Sequence, residues 1–239
     1  METDSDFEPE DIDDLEYLES YITMLGKRKY TATRESRKKT RGFRRRVSNM
    51  MLTREVKYYE TGFNIASVTN TPQVFALSDI AQGDNYNNRN GNLVQSKYLQ
   101  WEFTMNQVAN TIPINYKIAL VLDRAPNGIS PTFQNVFDTS VAPLTFSMKN
   151  IQAFQERFKI LREYLGVCTS SHGGDATQSC FKGFVDMRKL PAADQIVRWS
   201  GSGAVAPNVN GLYLMIVTST STVNEVIFRG TVRYAFNEN

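Results

Sequence analysis

The 239-residue sequence has little of the chemistry that enzymes and metalloproteins use. Its only histidine is His172, in the loop SSHGGD, and its only cysteines are Cys168 and Cys180, which form no CxxC pair. A hydrolytic site needs a base held beside a nucleophile, and a transition-metal site needs several imidazole or thiolate ligands. The sequence therefore predicts no enzyme, no metal and no cofactor.

Long apolar runs are also missing. No stretch of about 18 apolar residues occurs, so no membrane-spanning helix is expected. The opening METDSDFEPEDIDD has neither a positive nor an apolar region and does not resemble a secretory signal. The two cysteines are expected as free thiols in or beside strands, and a disulfide between them is the alternative.

Charge is divided by sign along the chain, although the net charge is only +2. Residues 1–26 form an acidic segment, with ten acidic and no basic residues between Met1 and Leu25. Ile12, Leu15, Leu18, Ile22 and Leu25 recur at helical spacing, which indicates a short helix. Two interpretations remain open for this segment: a solvated acidic tail, or a helix that docks on a partner.

Residues 27–46 form a basic arm whose only acidic residue is Glu35. Such a segment cannot bury itself and is expected to be disordered when free. Dense flexible cations bind the phosphates of nucleic acid with little sequence preference, and the same clusters suit a nuclear-import signal. The predicted nucleic-acid-binding residues are Lys27, Arg28, Lys29, Arg34, Arg37, Lys38, Lys39, Arg41, Arg44, Arg45 and Arg46.

Residues 47–239 have balanced charge and the pattern of an all-β domain. Eight runs rich in Val, Ile, Phe, Tyr and Thr are separated by polar turn segments, which predicts a β-sandwich or barrel. Trp101 and Trp199 lie in such runs and are expected in the core. Near Thr132, TFQNVF indicates a turn or two of helix. The eight runs are KYYETGFNIASVT, LVQSKYLQWEFTM, NYKIALVLD, RFKILREYLGV, QSCFKGFVDMRKL, QIVRW, GLYLMIVTS and VIFRGTVRYAF.

Three stretches carry a resemblance to a known family: the QGD…RNGN loop, LVLDRAPNG and RFKIL. With the basic arm before them, they resemble the capsid proteins of circular Rep-encoding single-stranded DNA (CRESS-DNA, circovirus-like) viruses and, more distantly, satellite plant-virus and geminivirus coats. The resemblance implies a single eight-stranded jelly roll, with the eight runs assigned in order to its strands, behind a disordered or partly helical N-terminal arm.

The same resemblance implies an icosahedral, T=1 virion of about sixty copies. It implies a packaged single-stranded genome, DNA rather than RNA, with assembly in the host nucleus after entry through the nuclear import machinery, and an unidentified host receptor. The family's arm usually begins near the initiating Met, whereas an acidic segment precedes it here.

Other interpretations of the residues stay open. A nuclear nucleic-acid- or histone-binding β-sandwich, forming a chaperone-like ring, is the alternative function. Asp84, Asp123 and Asp175 are candidate ligands for cations between subunits, although ordinary surface carboxylates are the preferred interpretation. The ten acidic charges of the first segment balance the net charge of the arm, so we expect the acidic segment to point elsewhere, to be removed, or to fold back on the arm until nucleic acid displaces it.

Overall fold

A computed structural model describes residues 55–108, 112–126, 128–150, 156–169 and 178–238. The predicted acidic segment and basic arm lie outside the described residues. The described chain contains nine strands: β1 (Val56–Ile65), β2 (Gln73–Ala76), β3 (Leu93–Gln107), β4 (Ile114–Asp123), β5 (Phe158–Cys168), β6 (Gln178–Asp186), β7 (Ile196–Arg198), β8 (Gly211–Thr218) and β9 (Val226–Glu238). The α-helix α1 (Phe133–Val136) and the 3-10 turns Leu144–Phe146, Met187–Lys189 and Ala192–Gln195 lie between them.

The strands form two antiparallel sheets. Sheet 1 has the order β1-β9-β3-β6, with β7 paired to the start of β3, and sheet 2 has the order β2-β8-β4-β5. Early strands pair with late strands in reverse order, as β1 with β9, β2 with β8, β3 with β6 and β4 with β5. This nesting of four antiparallel pairs across two sheets is the jelly roll. The predicted fold is confirmed.

The assignment of the eight runs to the eight jelly-roll strands was wrong at two places. The second strand is β2, which was not among the predicted runs, because its four residues QVFA are too few to show an alternating pattern. The run QIVRW instead forms β7, a three-residue addition to sheet 1. The remaining seven runs each contain one strand, and the helical turn near Thr132 is α1.

The main core lies between the two sheets. Strand β9 shows how the sequence builds it: Phe228, Val232 and Tyr234 are buried, while Arg229 and Arg233 are exposed on the other face. Two hydrogen bonds between polar side chains lie in this core. The Trp101 indole donates to Tyr164 Oη across the sheets at 3.2 Å, and Ser96 Oγ lies 2.6 Å from Tyr234 Oη.

A second apolar cluster lies on the outward face of sheet 2. Ala119, Val121, Met215 and Val217 of β4 and β8 are buried there by the covering segment, residues 128–150, which contains α1. Burial of apolar side chains on both faces explains why the β8 sequence GLYLMIVT is almost continuously apolar. The β4–β5 connection therefore acts as a third layer over sheet 2.

Candidate nucleic-acid interface and its scaffold

All eleven arm residues predicted to bind nucleic acid lie outside the described residues. The description begins at Glu55, immediately before β1, and β1 is an edge strand of sheet 1. The chain that carries the arm therefore enters the jelly roll at the edge of this sheet. β1 is thus the described strand nearest to the arm in the sequence.

Three aromatic side chains form a row across the outward face of sheet 1. Tyr58 of β1 and Tyr98 of β3 are both paired in register with Ala235 of β9, which lies between them. The small Ala235 side chain lets the two rings approach, with their centroids 6.3 Å apart. Phe184 of β6 continues the row, 5.2 Å from Tyr98. We call Tyr58, Tyr98 and Phe184 the aromatic strip.

The aromatic strip is open to solvent at both ends. Tyr58 is 38% exposed and Phe184 is 50% exposed, whereas Tyr98 between them is half-buried. Burial raises the pKa of Tyr98, and a hydrogen bond with the Tyr58 hydroxyl raises it further. Aromatic rings on an exposed sheet provide flat apolar surfaces on which planar groups stack.

Charged side chains flank the aromatic strip in cation–carboxylate pairs. Arg233 contacts Glu60 and lies 5.9 Å from the centre of the Tyr58 ring, and Lys182 Nζ lies 2.7 Å from Glu102. These pairs are exposed, so each contributes little to stability. The charges instead define the electrostatic character of the face.

Two further cations lie on or beside this face. Arg188 Nε lies 2.8 Å from Asp186 Oδ1, and its hydrogen bonds hold the pKa of Asp186 below the usual range. Arg229 donates to Asn64 Oδ1 at 3.1 Å. Together the face holds four cations, Lys182, Arg188, Arg229 and Arg233, against three carboxylates, Glu60, Glu102 and Asp186.

A hollow of about 170 Å³ lies beside the aromatic strip, between β1, β9 and β3. Its lining includes Glu60, Gln100, Glu102, Thr231 and Arg233. Thr231, one of the lining residues, is paired with Gly62 of β1. The hollow provides amide, hydroxyl, carboxylate and guanidinium groups next to the rings of the aromatic strip.

The family-like stretches LVLDRAPNG and RFKIL meet where β4 ends and β5 begins. Asp123 is fully buried and accepts two hydrogen bonds of 2.8 Å from Arg157. Next to it, Arg124 donates two bonds of 2.8 Å to Asp194, and Lys159 lies 3.6 Å from the same carboxylate. Bidentate pairs of this kind fix geometry as well as charge.

The third family-like stretch, RNGN, supplies a buried arginine. Arg89 is fully buried and donates to Ile80 O at 2.9 Å, to Gly91 O at 2.7 Å and also to Gly201 O. Its guanidinium lies 4.7 Å from the centre of the Trp199 ring, and burial lowers its pKa. Arg89 therefore joins the β2–β3 loop to the β7–β8 loop.

One buried carboxylate beside this scaffold is poorly satisfied. Asp79, in the loop after β2, has an oxygen, Oδ1, that is buried without a hydrogen-bond partner in the described part of the chain. Burial raises the pKa of Asp79 accordingly. The protonated form of this side chain is thus favoured by folding.

The other residues considered from the sequence have varied outcomes. Asp123 is neither a surface carboxylate nor a cation ligand, because Arg157 occupies it in a buried pair. Asp84 is exposed, and His172 and Asp175 lie outside the described residues. Cys168 is a buried free thiol whose pKa burial raises to about 11, and Cys180 is an exposed free thiol.

Both tryptophans are buried as predicted. Among the described residues, no group of three His, Cys, Asp or Glu side chains is arranged to hold a metal ion. The same part of the chain contains no helix long and apolar enough to cross a membrane.

Sequence reasoning missed the aromatic strip, Arg89 and Asp194. The alternation in KYYETGF places Tyr58 on the face opposite Phe63, which is a usable local signal. Nothing local shows that Tyr98 and Phe184 join it, because the row depends on the register of β1, β9, β3 and β6. Arg89 resembles any loop arginine until its partners from distant loops are known.

The chain has distant structural similarity to two viral proteins. No curated protein sequence matches the chain. Among solved structures, the chain is similar to the VP2 subviral particle of infectious bursal disease virus, with 8% identity, a TM-score of 0.30 and coverage of 77% of this chain and 33% of that one. The chain spans about a third of the VP2 chain. It is also similar to the unassembled VP1 pentamer of KI polyomavirus, with 10% identity, a TM-score of 0.20, and coverage of 76% and 94% respectively.

A family model gives the more extensive match. The model of the geminivirus coat protein/nuclear export factor BR1 family matches residues 16–239. The matched region includes the whole basic arm and every strand of the jelly roll. The chain therefore belongs to the geminivirus coat protein/nuclear export factor BR1 family.

Proposed function

We propose that this chain is the subunit of a closed icosahedral shell and packages a single-stranded genome through its basic arm, residues 27–46. Its membership of the coat protein family supports a capsid protein that occurs in virions and associates with copies of itself. The observation that carries the proposal is the family match over residues 16–239, since it joins the arm and the jelly roll in one coat-protein pattern.

The arm supplies the binding chemistry. Eleven cations on about twenty residues release condensed counterions when they neutralise phosphates. Arginine binds a phosphate through two parallel N–H groups, which favours phosphate over other anions. The arm contacts the backbone of the genome and selects little sequence.

The finer features of the proposal follow from the resemblance to CRESS-DNA, circovirus-like capsids. They are a T=1 shell of about sixty copies, a DNA rather than an RNA genome, and assembly in the host nucleus after import through the KRK, RKK and RRR clusters. A host receptor completes the set of partners. The jelly roll supplies rigid walls, and its loops supply the contacts between subunits.

The decisive experiment is expression of the full chain, followed by negative-stain electron microscopy and absorbance at 260 and 280 nm. We expect closed, uniform particles whose absorbance shows nucleic acid. A variant with Arg44, Arg45 and Arg46 replaced by Gln should form particles that contain much less nucleic acid. The matched control replaces three exposed cations of the jelly roll, Arg162, Lys189 and Arg198, by Gln and should retain the nucleic acid.

The acidic segment is proposed to compete with nucleic acid for the arm. Deletion of Met1–Leu25 should then raise the affinity for single-stranded DNA at low salt, because ten negative charges are removed from the neighbourhood of the arm. The gain should shrink as salt screens both interactions. Unchanged affinity at low salt would exclude the version in which this segment folds back on the arm.

The family description itself raises a second candidate, since it names nuclear export factors beside coat proteins. A transport factor binds nucleic acid without enclosing it, and the chaperone-like ring inferred from the acidic segment is a related alternative. Discrete monomers or rings that never close into shells would favour these functions over a capsid protein.

A further inference from the structure

The outward face of sheet 1 carries the aromatic strip, which the jelly roll does not need for its own stability. Tyr58, Tyr98 and Phe184 form a continuous aromatic row across three strands, and two of the three rings are well exposed. Scattered exposed apolar residues are ordinary, but rings in contact form an ordered platform. A hollow of about 170 Å³ lies beside this row and offers polar groups next to the rings.

The charges on the same face favour a polyanion over an acidic or neutral protein surface. Glu60, Glu102 and Asp186 each already contact a cation, and Arg229 has no carboxylate partner among its described contacts. The face therefore carries one more positive than negative charge, and its carboxylates are neutralised locally. A strand that stacks its bases on the rings can direct its phosphates along β9 toward Arg229, which no carboxylate neutralises among its described contacts.

The connection between the arm and β1 is short in sequence. Arg46, the last arm cation, is nine positions before Glu55, and nine residues span at most about 30 Å. Glu55 leads directly into β1, and Tyr58 is three positions further on. A strand held by the arm is therefore within reach of the aromatic strip on the same subunit.

We propose that the aromatic strip of Tyr58, Tyr98 and Phe184 is a stacking platform for unpaired bases of single-stranded nucleic acid. This inference rests on the proposed packaging function and adds a second kind of contact to it. The arm binds phosphates and depends strongly on salt, whereas the strip binds bases and depends on salt weakly. Its sequence preference is low, because every base has a flat face.

The test measures binding of the full chain to a thymidine oligonucleotide and to an abasic oligonucleotide of the same length, across a range of salt concentrations and below the protein concentration at which particles form. Phe184→Ala and Tyr98→Ala should each weaken binding to the thymidine strand on the order of tenfold. Binding to the abasic strand should be unchanged, because it offers no base to stack. The slope of affinity against salt should also be unchanged, because no phosphate contact is lost.

Phe146→Ala is the matched control, since Phe146 is also 50% exposed but lies in the segment that covers sheet 2. It should bind both oligonucleotides like the unmodified chain. Phe184→Leu keeps an apolar side chain without the ring, and it should lose affinity for the thymidine strand if stacking is the cause. This second variant keeps the test valid if Tyr98→Ala fails to fold.

Two outcomes would overturn the platform. Equal losses on both oligonucleotides, or no loss on either, would show that the rings do not stack on bases. Ring variants that abolish particles without changing affinity would identify the strip as a contact between subunits. The packaging proposal fails separately: it is contradicted if the Arg44, Arg45 and Arg46 variant keeps the salt slope of the unmodified chain.

Discussion

The two sheets of the jelly roll differ in what lies on their outward faces. On sheet 2, that face carries Ala119, Val121, Met215 and Val217, and the covering segment 128–150 buries all four. On sheet 1, the corresponding face carries the aromatic strip, paired charges and a shallow hollow open to solvent. Sheet 2 is thus the middle layer between the covering segment and sheet 1. The outward face of sheet 1 has no such cover among the described residues.

The aromatic residues of the two faces differ in the same way. Phe133 and Phe137 of the covering segment stack with centroids 4.7 Å apart and are buried, so their rings stabilise the fold. A buried lysine also joins that layer: Lys117 lies 2.7 Å from Glu163 and 4.6 Å from the Phe137 ring centre. The rings of the aromatic strip remain available to a ligand because nothing described covers them.

The largest expected contrast is between one ring of each face. Phe137→Ala removes a fully buried ring and should lower the free energy of unfolding by about 3–5 kcal/mol. Phe184→Ala removes a half-exposed ring and should lower it by less than about 1 kcal/mol. Urea unfolding of dissociated subunits measures both. Similar losses for the two variants would mean that the faces are not structurally different.

Ion pairs on the two sheets should also differ in how much they stabilise the fold. Asp123→Asn breaks a pair whose carboxylate is fully buried in sheet 2, and it should lower the free energy of unfolding by about 3 kcal/mol. Glu102→Gln removes the exposed partner of Lys182 on sheet 1 and should change stability little. The two variants are compared by urea unfolding at neutral pH. A large loss for Glu102→Gln would show that the outward face of sheet 1 is stiffened by its charges.

Two carboxylates should respond to pH with opposite signs. Burial raises the pKa of Asp79 above 3.8, so its ionised form destabilises the folded protein. The stability that the protonated form contributes is present below the unfolded pKa and is lost as the pH rises through the folded pKa. Asp79→Asn should therefore raise the free energy of unfolding at neutral pH by at most about 1 kcal/mol, and the gain should vanish below the unfolded pKa.

Asp186 provides the opposite case, because Arg188 lowers its pKa. Its stabilising contribution is present above the unfolded pKa and is lost as the pH falls through the lowered folded pKa. Asp186→Asn should lower stability at neutral pH and have no effect in strong acid. Urea unfolding between neutral and strongly acidic pH tests both carboxylates, and gains or losses of the same sign would contradict their assignment.

The smallest effect concerns the two thiols and leaves stability unchanged. Cys180 is on the outward face of sheet 1 and should react with iodoacetamide in the native protein. Cys168 is buried, and its pKa of about 11 keeps it protonated at neutral pH, so it should not react in the native protein. Mass spectrometry should show one added group before denaturation and two after it. Two additions to the native protein would show that Cys168 becomes accessible.

Local pattern was sufficient for much of the fold. The alternation in VIFRGTVRYAF matches the buried and exposed faces of β9, and seven of the eight predicted runs contain strands of the jelly-roll order. Prediction failed where an element was too short to show a period, as in QVFA, and where an apolar run formed only an addition at a sheet edge, as in QIVRW.

Residue order alone, through hydrophobic period and charge density, determined that this chain has a β-rich domain after an N-terminal region. That region consists of an acidic segment followed by a basic segment. These are local properties, and each can be evaluated within a few neighbouring residues. The pairing of Asp123 with Arg157, the burial of Arg89 and the alignment of Tyr58, Tyr98 and Phe184 were decided by the folded structure. Their physical basis is inter-strand register and loop packing, in which residues far apart in the chain become neighbours, and a shift of one position would turn each ring to the opposite face.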